Sequence, residues 1–440
     1  MSTSAADTAL LPATEAGLLR MLADVQANGR QPSMVAAVVW RGHVVWSSTR
    51  GEATGGTAPG TDLQYRIGSI TKVLTAMAVL QCRDDGLLDL DEPVAAYVPD
   101  APLGDTQLRR LLAHSGGLPA EPHGPWWERH NAGDLGPLFE RTAQQRTVVP
   151  PGSQFHYSNL GYGVLGAAVA AVRASSWYDV VQQRLLEPLG MSRTSYLPSA
   201  PFAQGYSVHP HTGRLHHEPH TDTGAMAPAG QLWSTAADLT RLAAFLITPN
   251  PSVLTPASLR EMTTVQASTP GQAYGGYGLG LRVEAADGVS RVGHSGSMPG
   301  FLAGLVAEPA TGLAAVAVAN ATAGATPGLP GTLVNHVRRC EPEPAPVWRP
   351  EPVVEGADEL VGNWFWGNTA VTLDVRSGSL RLDHPGRSSR FQRVGVDRWR
   401  GLDSYYDGEL LTVVRDDAGA VARLLLATFE LTPTPTGGES

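Results

Sequence analysis

The segment that most constrains the fold is an apolar stretch, Val73 to Leu80, with the sequence Val-Leu-Thr-Ala-Met-Ala-Val-Leu. A helix that is apolar almost all round has no face suited to water. We therefore predict a helix buried in a core, enclosed by other elements of the chain. Ser69 and Lys72 stand just before it, in the first turn, and their three-residue spacing puts both side chains on one face.

Lys72 is the only lysine of the chain, and the other 31 of the 32 lysine and arginine residues are arginines. An arginine stays protonated in proteins, whereas burial or a nearby cation can push a lysine amine towards neutrality. A neutral amine beside a serine hydroxyl can take the hydroxyl proton and make the serine a nucleophile. The alternative is a surface lysine that survived an arginine-rich codon bias, but that bias does not explain the spacing from Ser69.

Length and charge narrow the classes of protein. A chain of 440 residues and 46.4 kDa is too long for one ordinary core, so we expect two domains. The net charge is −9 and no basic run occurs, which argues against a nucleic acid or an anionic membrane as partner. Cys82 and Cys340 offer neither ligand spacing nor a disulfide framework; Cys82 lies in an apolar helical stretch and is predicted to be buried.

Neither the N-terminus nor any apolar run has the pattern of a targeting or membrane-spanning segment. The residues from Met1 to Arg20 lack a basic region followed by an apolar one, so no secretory signal is predicted. The longest run of small apolar residues, Gly163 to Val172, is too short to span a bilayer. We expect a soluble protein of the cytoplasm.

The patterning up to residue 340 predicts an α+β domain. Leu18, Met21, Leu22 and Val25 have the spacing of an amphipathic helix. Two apolar runs around Arg41-Gly42 indicate a hairpin. Residues 106–248 are mostly helical with long loops. Strands are then expected at Gly278 to Val283, Ser290 to Gly293, Ala303 to Glu308 and Leu313 to Asn320.

A proline-rich stretch, residues 341–352, is predicted to be a stiff linker and the domain boundary. The domains are therefore residues 1–340 and 353–440. Beyond the linker, short alternating strands separated by turn signals indicate a small antiparallel barrel. They are Val371 to Val375, Leu380 to Leu382, Leu410 to Val414 and Val421 to Leu431.

Three motifs in order carry the chemistry. Ser69-Ile70-Thr71-Lys72 is followed by Tyr157-Ser158-Asn159 and then by His294-Ser295-Gly296. This order resembles the serine β-lactamase and penicillin-binding protein superfamily, and the tyrosine and histidine resemble its class C-like branch. The resemblance covers roughly residues 18–338. It implies a class C β-lactamase-like fold, an antiparallel sheet flanked by helices with an all-helical region, followed here by a small lipocalin-like barrel.

The resemblance also implies a role for each motif residue. Ser69 is the acylated nucleophile, and Lys72 and Tyr157 form the proton-transfer pair. Because cation-capable groups lie near the phenol, we expect a lowered pKa for Tyr157. Asn159 orients Lys72 and holds a substrate amide.

The third motif completes the implied site. His294 stands on the strand that edges the cleft, and Gly296 contacts substrate. The backbone N–H groups of Ser69 and Ser297 are the implied donors to the tetrahedral oxyanion. No metal ion or other cofactor is implied.

Other residues could imitate or extend this site. His114-Ser115-Gly116 duplicates the third motif, and we interpret it as a structural turn, with cleft-rimming as the alternative. Five histidines between His209 and His220 could suggest a metal site, but the region is broken by Pro and Gly and favours a polar loop. Trp126 and Trp127 suit either a core or an apolar wall for a peptide substrate.

Three functions compete within the resemblance. A cell-wall carboxypeptidase or β-lactamase would need export. A cytosolic esterase or D-amino-acid peptidase needs none. The third function is that of the penicillin-binding-protein-type thioesterases, which the chain resembles. These release or cyclise a nonribosomal peptide from a carrier-protein thioester. The composition, the lack of a predicted secretory signal and the small β domain fit this function best. A non-catalytic sensor or assembly protein is disfavoured by the intact Ser69, Lys72 and Tyr157.

Overall fold

The computed structural model describes residues 9–53, 58–131, 133–268, 275–286, 288–341, 350 and 352–435. The chain divides into two compact units, Met1–Pro342 and Glu343–Ser440. Most of the proline-rich stretch 341–352 lies outside the described residues.

The first unit is built on a seven-stranded antiparallel sheet. Its strands are β1 (Ser33–Trp40), β2 (His43–Gly51), β7 (Gly275–Tyr277), β8 (Arg282–Ala286), β9 (Val289–Met298), β10 (Phe301–Glu308) and β11 (Leu313–Ala319). Their order across the sheet is β2-β1-β11-β10-β9-β8-β7. Four short strands form two further ladders, in which β3 (Tyr65–Arg66) pairs with β6 (Trp233–Ser234) and β4 (Tyr206–Val208) pairs with β5 (Leu215–His217).

The helices of this unit cover both faces of the sheet. They are α1 (Pro12–Asn28), α2 (Thr71–Asp84), α3 (Leu108–Leu112), α4 (Leu135–Thr142), α5 (Asn159–Arg173), α6 (Trp177–Val181), α7 (Ala227–Gly230), α8 (Ala236–Ile247), α9 (Pro256–Met262) and α10 (Leu329–Cys340). A π-helical turn, Gln182–Leu186, continues α6, and a 3₁₀ turn, Gly68–Ile70, leads into α2.

Strand β1 shows why its sequence is apolar throughout. Its residues alternate between two cores, with Val35 in the core that holds α2, α5 and α8 and Met34 in the core beneath α1 and α10. A strand buried on both faces needs a continuous apolar run instead of alternation. The predicted N-terminal helix and the hairpin at Arg41-Gly42 are confirmed.

Helix α2 is enclosed as predicted, with every residue from Thr71 to Cys82 buried. It packs against α5 and α7 in the larger core. Cys82 is fully buried, which confirms the prediction for it. Lys72, in the first turn of α2, therefore lies inside the core.

The strand predicted at Gly278 to Val283 is partly wrong. Residues 278–281 form a bend between β7 and β8, and Gly280 there has a φ of +83°, a left-handed conformation that suits glycine. Strand β9 runs beyond the predicted Gly293 to Met298. The third sequence motif therefore lies inside a strand.

The second unit is a nearly closed, eight-stranded antiparallel barrel. Its strands follow chain order from β12 to β19, and backbone bonds of 2.8 and 2.9 Å between Phe365 and Thr432 join the two ends. The strands are β12 (Gly362–Trp366), β13 (Thr369–Arg376), β14 (Ser379–His384), β15 (Arg387–Gly395), β16 (Arg398–Gly401), β17 (Leu410–Arg415), β18 (Val421–Leu426) and β19 (Phe429–Leu431).

The barrel has its own core, in which Leu373, Phe391 and Trp399 are buried. Strands β12, β15 and β16 were not predicted, because Arg, Gly and Trp dilute their alternation. The single strand predicted at Val421 to Leu431 is two strands, separated by a turn at Ala427, whose φ is +52°.

Membrane-spanning potential can be judged for the described residues. Among them, no single helix is long and apolar enough to cross a bilayer, whereas α5 and Trp177–Leu186 together pass the same test with a bend of 78°.

Candidate active site

Ser69 lies on the 3₁₀ turn that precedes α2, against strand β9. Gly68 in this turn has a φ of +52°, and a Cβ on it would lie 2.6 Å from the backbone N of Ser297. A Cβ on Gly296 would lie 1.9 Å from the carbonyl oxygen of Ile67 and 3.3 Å from the backbone N of Ser69. Two glycines therefore allow the backbone of Ser297 to lie close against the turn that carries Ser69.

Lys72 is fully buried and its amine reaches three oxygens. Nζ lies 3.0 Å from Oγ of Ser69, 2.7 Å from Oδ1 of Asn159 and 2.6 Å from the carbonyl oxygen of Ala229. The last two oxygens can only accept hydrogen bonds. A neutral amine spends its two N–H groups on them, so its lone pair faces the serine hydroxyl.

The environment of Lys72 favours that neutral form. Burial lowers the pKa of Lys72 to about 7, against the opposing charges of Glu121 and Glu128. Removing an ammonium from water disfavours its charged state, which is the physical cause of the shift. At neutral pH the amine therefore exists in both protonation states, as a group that takes and returns a proton requires.

Tyr157 lies beside this pair, half-buried, with the amine of Lys72 5.1 Å from its ring centroid. Burial raises the pKa of the Tyr157 phenol above its usual value, and a hydrogen bond with Ser69 opposes the rise only in part. The expectation of a lowered pKa is therefore wrong, because burial outweighs nearby positive charge. The phenol stays protonated at neutral pH and can act as a proton donor.

Asn159 begins helix α5 and links Lys72 to a loop. Its Oδ1 accepts from Lys72, and its Nδ2 donates to Oε1 of Glu121 at 2.7 Å. The other carboxylate oxygen of Glu121 accepts from Nε1 of Trp127 at 2.6 Å. Sequence reasoning missed Glu121, since no motif connects it with Asn159.

His294 is buried on β9. Its Nδ1 donates to the carbonyl oxygen of Ser295 at 2.5 Å, which leaves Nε2 to accept from the hydroxyl of Tyr277 at 2.8 Å. Burial and the charge of Lys72 lower the pKa of His294 to about 3. The imidazole is therefore neutral at physiological pH. Tyr277 was also missed, because strand β8 separates its strand, β7, from β9 and only the fold brings its hydroxyl to His294.

His114, which duplicates the third motif, lies behind Tyr157 and is 1% exposed. Its ring centroid is 4.1 Å from that of Tyr157. Its carbonyl oxygen accepts from the backbone N of His156 at 2.6 Å, and its Nδ1 accepts from the backbone N of Ser158 at 3.0 Å. His114 thus holds the backbone on both sides of Tyr157, in keeping with the predicted structural turn; burial excludes a place on the cleft rim.

The two tryptophans differ. Trp127 is 5% exposed and belongs to the core, whereas Trp126 is 54% exposed, with the guanidinium of Arg129 over its ring. The histidine-rich stretch forms the β4–β5 hairpin, in which Leu215, His216 and His217 are exposed. Within the described residues, no group of three or more His, Cys, Asp or Glu side chains could hold a metal ion.

The arrangement can perform acyl transfer. A hydroxyl faces a base lone pair, a phenol lies next to both, and the backbone of Ser297 lies close to the turn of Ser69. The structure brings together Ser69, Lys72, Tyr157, Asn159, His294 and Ser297. Gly296 is explained by its close approach to the turn of Ser69.

Family comparison agrees with this geometry. Residues 18–334 match the family model described as Beta-lactamase. Residues 353–433 match a model described as a domain of unknown function, DUF7586. Beta-lactamase-like protein 2 of Dictyostelium discoideum is 28% identical over 290 residues, which are 61% of this chain and 52% of that protein. This chain thus matches about half the length of that relative.

Two solved structures are similar over nearly their whole length. The structure of SurE has a TM-score of 0.63 and 25% identity, and the match covers 96% of this chain and 99% of that one. A D-stereospecific amidohydrolase from Streptomyces sp. has a TM-score of 0.61 and 27% identity, with coverage of 75% of this chain and 99% of that one.

Proposed function

Because the chain belongs to the Beta-lactamase family of serine hydrolases, we propose that it is an acyltransferase that works through an ester on Ser69. The observation that carries the proposal is the buried amine of Lys72, 3.0 Å from Oγ of Ser69, with both N–H groups of its neutral form already engaged. Such an amine is a base aimed at one hydroxyl.

The proposed reaction has two halves. Oγ of Ser69 bonds to the acyl carbon while its proton passes to Lys72, and the backbone N–H groups of Ser69 and Ser297 hold the resulting oxyanion. The bond to the leaving group then breaks, and Tyr157 donates a proton to that group. Lys72 in turn passes the proton it took from Ser69 to Tyr157. In the second half an amine or water attacks the ester, and the same groups carry the proton back.

For the acyl donor we propose a peptide carried as a thioester and ending in a D-residue. The chain would then be a class C-like, penicillin-binding-protein-type thioesterase that releases and cyclises a nonribosomal peptide, in the cytoplasm, from a carrier protein. The likeness to a D-stereospecific amidohydrolase supports the D-configuration. The eight-stranded barrel after the hydrolase fold supports the thioesterase type, which the sequence resembles in having a small β domain there.

The test uses a linear peptidyl N-acetylcysteamine thioester with a free N-terminal amine and a D-residue at its C-terminus. We expect a cyclic product by mass spectrometry and none with Ser69→Ala. Linear acid alone would contradict the cyclase and support a hydrolase. The same peptide with a C-terminal L-residue is the matched control, and its equal turnover would contradict the D-preference.

A D-amino-acid amidase or peptidase is the second candidate. The amidohydrolase similarity favours it, because that match spans 99% of the amidohydrolase. This candidate predicts ammonia release from D-phenylalanine amide and none from the L-enantiomer. Turnover of the amide without turnover of the thioester would replace the first proposal by the second.

A further inference from the structure

Glu121 is part of a chain of hydrogen bonds that leads to the nucleophile. The chain runs from Trp127 through Glu121, Asn159 and Lys72 to Ser69, with separations of 2.6, 2.7, 2.7 and 3.0 Å. Glu121 is exposed, yet each of its carboxylate oxygens accepts one of these bonds. An exposed glutamate held at both oxygens is unusual, since exposed side chains ordinarily keep their rotamer freedom.

The backbone around Glu121 is fastened to the start of α5. The backbone N of Asn159 donates to the carbonyl oxygen of Ala120 at 2.7 Å, and Oγ of Ser158 donates to that of Pro119 at 2.6 Å. Residues 119–121 are therefore hydrogen-bonded to residues 158–159 at three points. These bonds place the carboxylate of Glu121 beside Nδ2 of Asn159.

The chemistry of the partners fixes the orientation of the Asn159 amide. An ammonium or amine N–H donates to oxygen, and a carboxylate only accepts. With Glu121 on the Nδ2 side, the amide must turn Oδ1 towards Lys72. Without Glu121, the amide is free to rotate, and its NH₂ group could then donate to the lone pair of the amine that otherwise faces Ser69.

We propose that Glu121 is a positioning residue for acylation of Ser69, which it serves by holding the amide of Asn159 so that Oδ1 keeps Lys72 aimed at the nucleophile. This inference rests on the proposed role of Ser69 and Lys72. Glu121 is hydrogen-bonded to neither the nucleophile nor the base, and it positions Lys72 through Asn159.

Glu121 acts on Lys72 in a second, separable way, through its charge. Its carboxylate opposes the effect of burial and holds the pKa of Lys72 higher than burial alone would. The other titratable groups around the amine are Glu128, Tyr157, Tyr162, His114 and His294. Burial favours the uncharged forms of the two tyrosines and the two histidines, so the two glutamates supply the negative charge.

Three variants separate the bond from the charge. Glu121→Asp keeps the charge but is one methylene too short to reach Asn159. Glu121→Gln loses the charge and keeps an oxygen for Asn159. Glu128→Gln is the matched control, because it removes a charge that acts on Lys72 from a side chain bonded to Trp126 instead of Asn159.

The measurement is the rate of acylation by p-nitrophenyl acetate from pH 5 to 9. We expect Glu121→Asp to lower the plateau rate roughly 10- to 100-fold with an unmoved acidic limb, because a misdirected base costs rate. Both Gln variants should move the limb to lower pH by roughly half a unit. Glu121→Gln should lose less plateau rate than Glu121→Asp, and Glu128→Gln should keep a near wild-type plateau.

A double-mutant cycle supplies the decisive readout. In an Asn159→Ala background, Glu121→Asp should have no further effect on the plateau, since the group it positions is gone. Additive losses would contradict the inference and indicate a general structural role. A wild-type plateau in Glu121→Asp would also contradict it.

The failures of the two proposals are distinguishable. If mass spectrometry finds no acetyl group on Ser69 of the wild type, the proposed function fails. If Ser69 is acetylated and Glu121→Asp matches the wild type, only the role of Glu121 fails. Near-UV circular dichroism of each variant verifies that the fold is intact.

Discussion

At position 72 the protein needs an amine that can lose its proton inside a core. Burial moves the pKa of Lys72 to about 7, whereas a guanidinium would stay charged there. The three oxygens around Nζ then decide how the amine points, since two of them accept from its N–H groups. Lone-pair direction is thus set by neighbours that take no part in the chemistry.

We expect Lys72→Arg to lower acylation of Ser69 at least about 100-fold, because it preserves the positive charge and removes the base. The rate of nitrophenolate release is the measurement. Lys72→Met is the matched control, since it removes both properties. An arginine variant with substantially more activity than the methionine variant would contradict the neutral-amine account.

The same burial predicts a pH dependence of stability. Between the folded pKa of about 7 and the ordinary value of 10.5, the unfolded chain holds a proton that the folded chain lacks. Stability therefore rises with pH across this window, by about 1.4 kcal/mol per pH unit at its middle. Urea unfolding at several pH values should show this slope in the wild type relative to Lys72→Met. Parallel pH curves for the two proteins would contradict it.

At the scale of elements, the site depends on how closely strand β9 approaches the turn of Ser69. A Cβ at position 296 would lie 1.9 Å from the carbonyl oxygen of Ile67, closer than any real contact. Either the strand or the turn must then shift. Such a shift would separate the N–H groups of Ser69 and Ser297, the proposed donors to the oxyanion.

We expect Gly296→Ala to reduce acylation of Ser69 by about 100-fold or more, because loss of an oxyanion donor costs that much. The acylation rate constant from stopped-flow absorbance is the measurement. Gly136→Ala is the matched control, since Gly136 lies in helix α4 and nothing stands within 4 Å of its added Cβ. Equal rates in the two variants would show that the close approach is unimportant.

Sequence predicted those parts of the site that local pattern specifies. Ser69 and Lys72 are one helical turn apart, and resemblance supplied Tyr157, Asn159 and His294. Glu121, Tyr277 and the position of His114 behind Tyr157 were not predicted, because only tertiary packing brings them to the site. The pKa of Tyr157 was predicted to shift down, whereas burial shifts it up. A sequence shows which cationic residues occur near a motif, but it does not show how deeply a side chain is buried.

At the scale of the whole molecule, the chain builds separate cores. The larger unit buries its sheet on two faces, and the barrel closes around its own interior. The buried ring of Trp399 belongs to the barrel alone, with 1% of its surface exposed. The barrel strands were the least predictable part, because short strands with few apolar residues carry a weak signal.

We expect Trp399→Ala to lower the free energy of unfolding of the barrel by about 3–5 kcal/mol, the usual cost of emptying a buried indole site. Amide hydrogen exchange should report faster exchange in β12 to β19. Trp366→Ala is the matched control with a smaller effect, since Trp366 is 42% exposed. Unchanged protection in Trp399→Ala would contradict the assignment of this ring to the barrel core.

The buried amine has a consequence for spectroscopy. Since the chain contains one lysine, protein grown with ¹³C- and ¹⁵N-labelled lysine carries a single labelled side chain, and that side chain is the proposed base. One Cε–Nζ resonance in a protein of 46.4 kDa needs no assignment. Its chemical shift would follow the protonation of the base in the free enzyme, in the acylated enzyme and in every variant of its neighbours.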